Sequence, residues 1–263
     1  MFRYPDFDPV AISLGPLKIR WYGLMYLVGF LFVWLLALVR VKRPNAAVQR
    51  SQLDDLVFYG ALGAIIGGRL GYTLFYGMNK LIADPLSLFR LWEGGMSFHG
   101  GLLGVLFALW LFSRRIERGF FEVMDFVAPL IPPGLAAGRI GNFINGELWG
   151  KPTDAPWGFL VEGTVRHASQ LYEAFLEGLV LFVCLWLYSS KPRPTMAVSG
   201  LFALLYGIFR FAVEFVRLPD EHLGYLAFGW LTMGQVLSLP LALTGAILMF
   251  LAYRHRDSAA EAA

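Results

Sequence analysis

Hydrophobic residues fall along this chain in seven long stretches separated by short polar connections. Each stretch is close to the roughly 20 apolar residues that a helix needs to cross the hydrocarbon core of a membrane. The pattern predicts an all-α fold, a polytopic membrane helix bundle with about seven transmembrane helices. The predicted spans are residues 21–40, 56–76, 97–113, 120–139, 169–189, 198–217 and 233–253.

Proline and glycine residues modify two of these spans. Pro132 and Pro133 should interrupt the fourth span, because neither can donate a backbone hydrogen bond and their rings clash with the preceding turn. Gly63, Gly67 and Gly71 recur at helical spacing in the second span, a small-residue pattern that favours close helix packing.

The segments outside the spans are short. Residues 140–168, between the fourth and fifth spans, are rich in Gly, Pro, Asn and Trp and predict a small external cap. We expect residues 1–257 to form a single seven-span membrane domain. The tail at 258–263 has too little apolar surface to fold and should be disordered.

The composition indicates that lipid is the main solvent of the chain. Hydrophobic residues make up 57% of it and charged residues 16%, whereas soluble domains contain about 25% charged residues. The net charge of +3 is spread over short loops, so we expect no nucleic-acid partner. Cys184 is the only cysteine, which excludes an internal disulfide and a cysteine-based metal site.

Basic residues accumulate in alternate connections. They occupy the first, third and fifth connections and the C-terminal end: Arg40, Lys42, Arg43, Arg50, Arg114, Arg115, Arg118, Lys191, Arg193, Arg254 and Arg256. The positive-inside rule places these segments in the cytoplasm and the N-terminus outside. We therefore expect a bacterial inner-membrane protein with a periplasmic N-terminus and a cytoplasmic C-terminus.

With this orientation, most ionisable residues of the spans lie in the outer half of the membrane. They are Arg69, His99, Arg139, Glu173, Glu177, Arg210, Glu214 and Arg217. A charged side chain within a span costs about 2.5–3.5 kcal/mol on insertion scales, so such residues are functional candidates. The arginines offer planar donor forks suited to phosphate or carboxylate, and the phosphate abundant in a bilayer is the lipid headgroup.

One polar stripe lies on the sixth span. Tyr206, Arg210, Glu214 and Arg217 are spaced four, four and three residues apart, which places them on one helix face. Arg210 and Glu214 could simply pair with each other, and this pairing is compatible with binding of an anion. Arg217 lies nearer the membrane surface, and snorkelling to the interface explains it well.

Two segments carry a resemblance to a known family. Residues 138–150 read Gly-Arg-Ile-Gly-Asn-Phe-Ile-Asn-Gly-Glu-Leu-Trp-Gly, which matches every fixed position of G-R-x-G-N-F-x-N-x-E-x-x-G. Residues 97–102, Ser-Phe-His-Gly-Gly-Leu, contain an H-G-G-L motif. Both motifs are similar to those of the prolipoprotein diacylglyceryl transferases, and further familial stretches at 21–26, 166–173 and 206–217 extend the resemblance to nearly the whole chain.

The resemblance implies a lipid-transfer reaction. The family moves the diacylglyceryl group of phosphatidylglycerol to the lipobox cysteine in the signal peptide of a prolipoprotein, which forms a thioether and releases glycerol 1-phosphate. The nucleophile belongs to the substrate, so we expect no metal, no cofactor and no catalytic role for Cys184. The expected partners are phosphatidylglycerol, prolipoprotein signal peptides and membrane lipid, and we expect a monomer.

The resemblance also implies roles for individual residues. Arg139 and Arg210 match family positions implicated in stabilising the departing phosphate. His99 is the candidate base for the thiol, because imidazole exchanges protons near neutral pH; orienting the loop or the headgroup is the alternative. The expected contacts of phosphatidylglycerol are Arg139, Tyr22, Asn142, Glu147, Tyr206 and Glu214, with Asn142 and Glu147 positioning the cap and the arginines.

Three other classes of protein compete with this interpretation. A secondary transporter would also contain a broken helix and intramembrane charges, but transporters show internal repeats and a site near the midplane. A structural scaffold would not retain costly arginines in one half of the bundle. A serine hydrolase built on Ser97 and His99 lacks an obvious carboxylate to orient the histidine.

Overall fold

Helices account for most of the computed structural model, which describes residues 1–5, 7–15, 17–219 and 224–261. The α-helices are α1 (Trp21–Arg40), α2 (Leu53–Phe75), α3 (Met78–Ala83), α4 (Phe98–Arg115), α5 (Phe120–Val127), α6 (Pro132–Ile144), α7 (Ser169–Glu173), α8 (Leu181–Tyr188), α9 (Ala197–Glu214) and α10 (Met233–Glu261). A π-helical segment, Ala174–Val180, joins α7 to α8. Short 3-10 turns occupy Arg50–Gln52, Pro85–Phe89, Leu91–Glu93 and Ala128–Leu130.

Strands correct the expectation of a purely α-helical chain. They are β1 (Phe2–Arg3), β2 (Val10–Leu14), β3 (Leu17–Arg20), β4 (Phe159–Val161) and β5 (Thr164–Arg166). β2 and β3 form an antiparallel hairpin before α1, and the order β1-β4-β5 forms a three-stranded sheet. All five are short, and those of the sheet lie at the N-terminus and in the cap, where the sequence lacks the long apolar stretches that favour membrane helices.

Several helices have the length and hydropathy of membrane spans. Within the described residues, four qualify: α1, the continuous helix Ser169–Tyr188, α9, and Met233–Arg254 of α10. Phe120–Leu130 and Pro132–Ile144 form a fifth, broken candidate. α2 and α4 are helices at the second and third predicted positions but do not meet this criterion, in keeping with their glycines and charged residues. The structure thus supports a helical membrane protein with four or five candidate spans.

The break in the fifth candidate lies where the sequence predicted it. The two helical segments are bent by 44° relative to each other. Pro132 and Pro133 occupy the first turn of α6, where a helix tolerates proline because those backbone N–H groups have no partner within the helix. A new helix, α6, therefore begins at the bend, and it carries Arg139 near its C-terminal end.

The contacts divide the chain into two units, residues Met1–Leu36 with Asp125–Ala263, and residues Ala37–Met124. In the second unit, α2 packs closely on α4 through glycines. A Cβ on Gly63 would lie 2.6 Å from the Gly104 carbonyl oxygen, and one on Gly71 would lie 2.7 Å from the Gly100 Cα. This confirms the packing role predicted from glycine spacing.

The first unit contains a similar glycine contact. α9 packs along α10, and a Cβ on Gly200 would lie 3.0 Å from the Gly245 carbonyl oxygen. The buried apolar side chains of this unit include Leu181 and Leu185 of α8, which pack with Ala128 and Val198. This packing positions α9 relative to the segment 174–188, and both elements carry residues of the candidate site.

The cap is a small loop structure and begins later than predicted, because α6 continues to Ile144. β4 pairs in parallel with β1 and antiparallel with β5. Gly150 forms a bridge to Arg217 at the end of α9, and the Lys151 amide donates to the Val216 carbonyl oxygen over 2.8 Å. These bonds attach the cap to α9.

The C-terminal region differs from the expected disordered tail. The backbone of α10 continues to Glu261, so the first four residues of the stretch 258–263 are helical. Residues 262–263 and the loop residue His222 lie outside the described residues.

We predict that Gly63→Ala lowers the thermal stability of the purified protein. The added Cβ would lie 2.6 Å from the Gly104 carbonyl oxygen, and overpacking typically costs about 1–3 kcal/mol. Gly60→Ala in the same helix is the matched control, since no described atom lies within 4 Å of its Cβ position. Alanine should leave stability equal or slightly higher there. Equal melting temperatures of the two variants in detergent would contradict the close contact.

Candidate functional site

Charged side chains from three neighbouring segments of the first unit meet inside the bundle. α6 contributes an arginine near its C-terminal end, the helix 169–188 contributes two glutamates, and the stripe on α9 contributes the rest. We call this set the arginine–glutamate cluster: Arg139, Glu173, Glu177, Arg210, Glu214 and Arg217. Its formal charge is zero, because three guanidinium groups face three carboxylates.

Glu173 is the central carboxylate of this cluster. Its Oε2 atom lies 2.6 Å from Arg139 Nε and 2.9 Å from Arg210 Nη1. Its Oε1 atom pairs with Arg217 Nη1. The Glu173 side chain is fully buried (0% exposed), so these guanidinium groups provide the compensation that a buried carboxylate requires.

Glu214 holds the arginines of α9 from the other side. Its Oε1 atom lies 2.5 Å from Arg210 Nη2 and 3.0 Å from Arg217 Nε. Its Oε2 atom accepts a hydrogen bond of 2.7 Å from the Thr232 hydroxyl, which precedes α10. The pairing of Arg210 with Glu214 that the sequence suggested is therefore present, and it is part of a larger network.

Glu177 lies further from its partners. The closest distances are 3.9 Å to Arg139 Nη2 and 3.8 Å to Arg210 Nη1. It belongs to the π-helical segment, a helix geometry often found at functional sites. A Cβ on the neighbouring Gly178 would lie 2.5 Å from the Ala136 Cβ, so this segment packs directly against α6.

Exposure differs systematically between the two signs of charge. The side chains of Glu173 and Glu177 are 0% exposed, whereas those of Arg139 and Arg210 are 23% and 17% exposed. The arginine side chains are thus more accessible than the carboxylates with which they pair, while Arg210 Nη1, the atom nearest Glu173, is buried. A guanidinium has five N–H donors, so arginines fixed from behind by carboxylates keep donors for an anion that approaches from the open side.

Arg217 requires a correction. We interpreted it as snorkelling to the interface, but its side chain is only 11% exposed and it pairs with both Glu173 and Glu214. The interpretation was wrong because helix position alone does not reveal which carboxylates another helix brings to the same place.

Arg69 also differs from our expectation of a phosphate ligand. It is buried, at 6% exposed, and its guanidinium donates to backbone carbonyl oxygens of the loop that follows α3. The acceptors belong to Ser87, Leu88, Arg90, Gly94 and Gly95. Because these carbonyls engage all three guanidinium nitrogens, the role of Arg69 is to hold the loop 87–95 on α2.

The glycine- and asparagine-rich signature forms a closed turn after α6. Glu147 accepts hydrogen bonds of 3.2 Å from Asn142 and 3.1 Å from Asn145 through their side-chain amides. Gly146 adopts a φ of +70°, a left-handed conformation that favours glycine. The turn thus connects α6, which ends five residues after Arg139, to the cap.

The candidate tyrosines lie on two helices of the same unit. The hydroxyls of Tyr22 and Tyr26 on α1 are 3.3 Å apart, and a Cβ on Gly141 would lie 3.3 Å from the Tyr22 ring. Tyr206 lies one turn before Arg210 on α9 and stacks on Phe202 with a centroid distance of 5.9 Å. Tyr22 is thus adjacent to the signature helix α6.

The histidines occupy different surroundings. His99 is exposed in the first turn of α4, in the second unit. Ser97, considered above as a nucleophile, accepts a hydrogen bond of 3.2 Å from the Gly100 amide and caps this helix. His167, before α7, lies 3.0 Å from the Tyr172 hydroxyl, and burial lowers its pKa below the usual value.

The sequence interpretation assigned no role to the two glutamates of the fifth predicted span. Glu173 and Glu177 were noted as polar residues, but neither received a role, although carboxylates four residues apart in an apolar span are costly. The three arginines in the neighbouring spans need negatively charged partners, and this need would have indicated Glu173 and Glu177. The charge balance of the spans was therefore the available signal.

Comparisons with known proteins show the family to which this chain belongs. The helices and the buried ion pairs define an integral membrane protein with a polar site inside its bundle. A family model described as "Prolipoprotein diacylglyceryl transferase" matches residues 9–251, and the chain belongs to this family of transferases.

Full-length relatives carry the name "Phosphatidylglycerol--prolipoprotein diacylglyceryl transferase". The protein of Oleidesulfovibrio alaskensis is 60% identical over 263 residues, covering 99% of this chain and 98% of the relative. That of Pseudomonas syringae pv. syringae is 58% identical over 269 residues, covering 100% of both. That of Pseudomonas paraeruginosa is 60% identical over 262 residues, covering 98% of both.

We predict that Glu173→Gln destabilises the protein far more than Glu177→Gln. Removal of the Glu173 charge leaves Arg139, Arg210 and Arg217 without their shared partner, and breaking a buried ion pair typically costs about 3–5 kcal/mol. Glu177 is a matched control, because it is equally buried but its ion-pair distances are 3.8–3.9 Å. Thermal unfolding in detergent measures the difference. Equal losses of stability would show that Glu173 is not the central partner.

Proposed function

We propose that this protein transfers the diacylglyceryl group of phosphatidylglycerol to the lipobox cysteine thiol of a prolipoprotein. The observation that carries the proposal is that Arg139 and Arg210 are partly exposed while their shared partner Glu173 is fully buried, within a chain of this transferase family. A membrane-embedded set of guanidinium donors suits the phosphate of a lipid headgroup.

The proposed reaction is a substitution at the glycerol carbon bonded to phosphate. The substrate sulfur, as thiolate, bonds to this carbon and forms the thioether. The carbon–oxygen bond to phosphate breaks, and its electron pair leaves with glycerol 1-phosphate. The thiol proton passes to a base, and the nucleophile comes from the substrate, which leaves Cys184 without a chemical role.

Arg139 and Arg210 act on the leaving group. As the bond breaks, negative charge grows on the phosphate oxygen, and preorganised donors aimed at that oxygen stabilise the transition state more than the bound lipid. Glu173 and Glu214 support this role, since they fix the two guanidinium groups before the substrate arrives. Little reorganisation is then needed during the reaction.

His99 is our proposed base for the thiol. A free thiol has a pKa near 8.5, so an acceptor assists its ionisation at neutral pH, and the His99 imidazole on α4 is exposed. The alternative role, orientation of the headgroup or its loop, would leave proton transfer to another group.

The remaining candidates serve the headgroup and the cap. The Tyr22 ring lies against α6, and Tyr206 lies on α9 one turn before Arg210. Asn142 and Glu147 close the turn after α6, so we propose that they position Arg139 and the cap, and that phosphatidylglycerol contacts this turn. Glu214 contributes through Arg210.

The proposed setting is the bacterial inner membrane, with residues 1–257 acting as one membrane domain of seven spans. The basic residues of alternate loops support a periplasmic N-terminus and cap and a cytoplasmic C-terminus. The arginine–glutamate cluster would then face the periplasmic leaflet, where prolipoproteins emerge. The substrates are phosphatidylglycerol and prolipoprotein signal peptides, and we propose that the enzyme works as a monomer.

We predict the topology from the basic loops. An alkaline phosphatase reporter placed near Asp154 in the cap should be active, because this enzyme folds only in the periplasm. Alkaline phosphatase fused after Arg256 should be inactive. A fluorescent protein that folds only in the cytoplasm should be fluorescent when fused at the same position. The reverse pattern would move the cluster to the cytoplasmic leaflet and contradict the proposed orientation.

We predict that Arg139→Lys and Arg210→Lys each reduce turnover by about 100- to 1000-fold. Lysine keeps the charge but loses the planar fork, and the effect falls on the transition state, so lipid binding should weaken less. The assay measures glycerol 1-phosphate released from phosphatidylglycerol in the presence of a lipobox peptide. Melting temperature reports the folding of each variant.

Arg115→Lys is the matched control for these substitutions. Arg115 forms an exposed ion pair of 3.1 Å with Asp55, outside the cluster, so its replacement should leave turnover unchanged. Wild-type turnover of Arg210→Lys would show that Arg210 is only a structural partner of Glu214, and the phosphate would then be assigned to Arg139 alone.

A further inference from the structure

Gln170 is a buried amide with no assigned role. It lies in the first turn of α7, and its side chain is 0% exposed. Among the residues that the structure describes, neither its Oε1 nor its Nε2 has a hydrogen-bond partner. Buried side-chain polar groups in proteins nearly always have one, so an amide with both ends unpaired requires an explanation.

The position of Gln170 relates it to the cluster. Gln170, Glu173 and Glu177 are spaced three and four residues apart, all three are fully buried, and they therefore share one face of the helix 169–188. α7 packs against α6 and α9, the helices that carry Arg139 and Arg210. Gln170 thus lies one turn from the central carboxylate, toward the cap.

The start of α7 is fixed by the cap. The Ser169 hydroxyl donates a hydrogen bond of 2.7 Å to the Leu148 carbonyl oxygen, and Leu148 belongs to the signature turn. This bond holds the backbone next to Gln170 at the start of α7. An amide without a partner among the described residues, one helical turn from Glu173 on a held backbone, suits a contact with a ligand.

The chemistry of an amide selects a hydroxyl. A primary amide both donates and accepts, and a hydroxyl does the same. A lipid headgroup with an ammonium offers donors only and would leave the Nε2 donor unpaired. A headgroup that ends in a glycerol can satisfy both amide atoms while its phosphate meets the arginines.

We propose that Gln170 is a specificity-determining residue, whose side-chain amide binds a hydroxyl of the glycerol headgroup while the phosphate lies on Arg139 and Arg210. The proposal rests on the function proposed above and adds the means by which phosphatidylglycerol is distinguished from other phospholipids. It requires that loss of the amide affects only those lipids that carry headgroup hydroxyls.

The test compares two lipids that differ only in these hydroxyls. Phosphatidylglycerol and phosphatidylpropanol share the phosphate, the headgroup length and the acyl chains. The readout is kcat/KM for diacylglyceryl transfer to a fluorescent lipobox peptide. A site that binds a substrate hydroxyl rejects the analogue without it, so the wild type should prefer phosphatidylglycerol by on the order of 10- to 100-fold.

Gln170→Met preserves the side-chain length and removes the hydrogen bonds. It should slow transfer from phosphatidylglycerol but not from phosphatidylpropanol, so that the preference falls below about threefold. Gln235→Met is the matched control, because Gln235 is also fully buried and its Nε2 has no partner in the described part of the chain, but it lies on α10. Its substitution should leave the lipid preference unchanged, whatever its effect on stability.

Other outcomes overturn the proposal. If Gln170→Met slows both lipids equally, or keeps the wild-type preference, the amide is only structural. If this variant does not fold, Gln170→Glu keeps the shape but loses the donor, and an unaltered preference in that variant contradicts the proposal. If the wild type releases no glycerol 1-phosphate from phosphatidylglycerol, the proposed function itself is contradicted, and the inference with it.

Discussion

A carboxylate inside an apolar helix bundle is stable only if cations accompany it, and Glu173 shows how this chain meets that requirement. Three arginines from α6 and α9 and the turn after α9 converge on its two oxygens. The three elements are thereby fixed relative to the helix 169–188. Each guanidinium in turn has its position set before any ligand arrives, which is the condition for electrostatic stabilisation of a transition state.

The arginine–glutamate cluster can both hold the helices together and leave its arginines available for an anion. Buried ion pairs rarely stabilise a protein more than apolar packing would, so six charged residues are a costly way to hold helices together. Their cost is reasonable if the arginines are needed for an anion. The carboxylates then serve as the permanent counterions, and the accessible side of the cluster remains available to the substrate.

Much of the helical fold could be predicted from the sequence, because long apolar stretches and helix-breaking residues act locally. The positions of the helices, the bend at Pro132 and the contact surface of Gly63 follow from residues close together in the chain. The roles of Arg69 and Arg217 did not, because they depend on which distant groups meet them. Arg69 meets the carbonyls of a loop, and Arg217 meets Glu173 from another helix.

The π-helical segment between α7 and α8 has a consequence for which changes of length this chain tolerates. A π turn holds one more residue than an α turn, as though a single residue had been inserted into an ordinary helix. Deletion of one residue within 174–176 would restore a continuous α-helix and rotate everything before it by about 100°. Glu173 and Gln170 would then turn away from α6 and α9, while Glu177 stayed in place. A change in the number of residues in this segment would therefore disturb the cluster more than an exchange of one apolar residue for another.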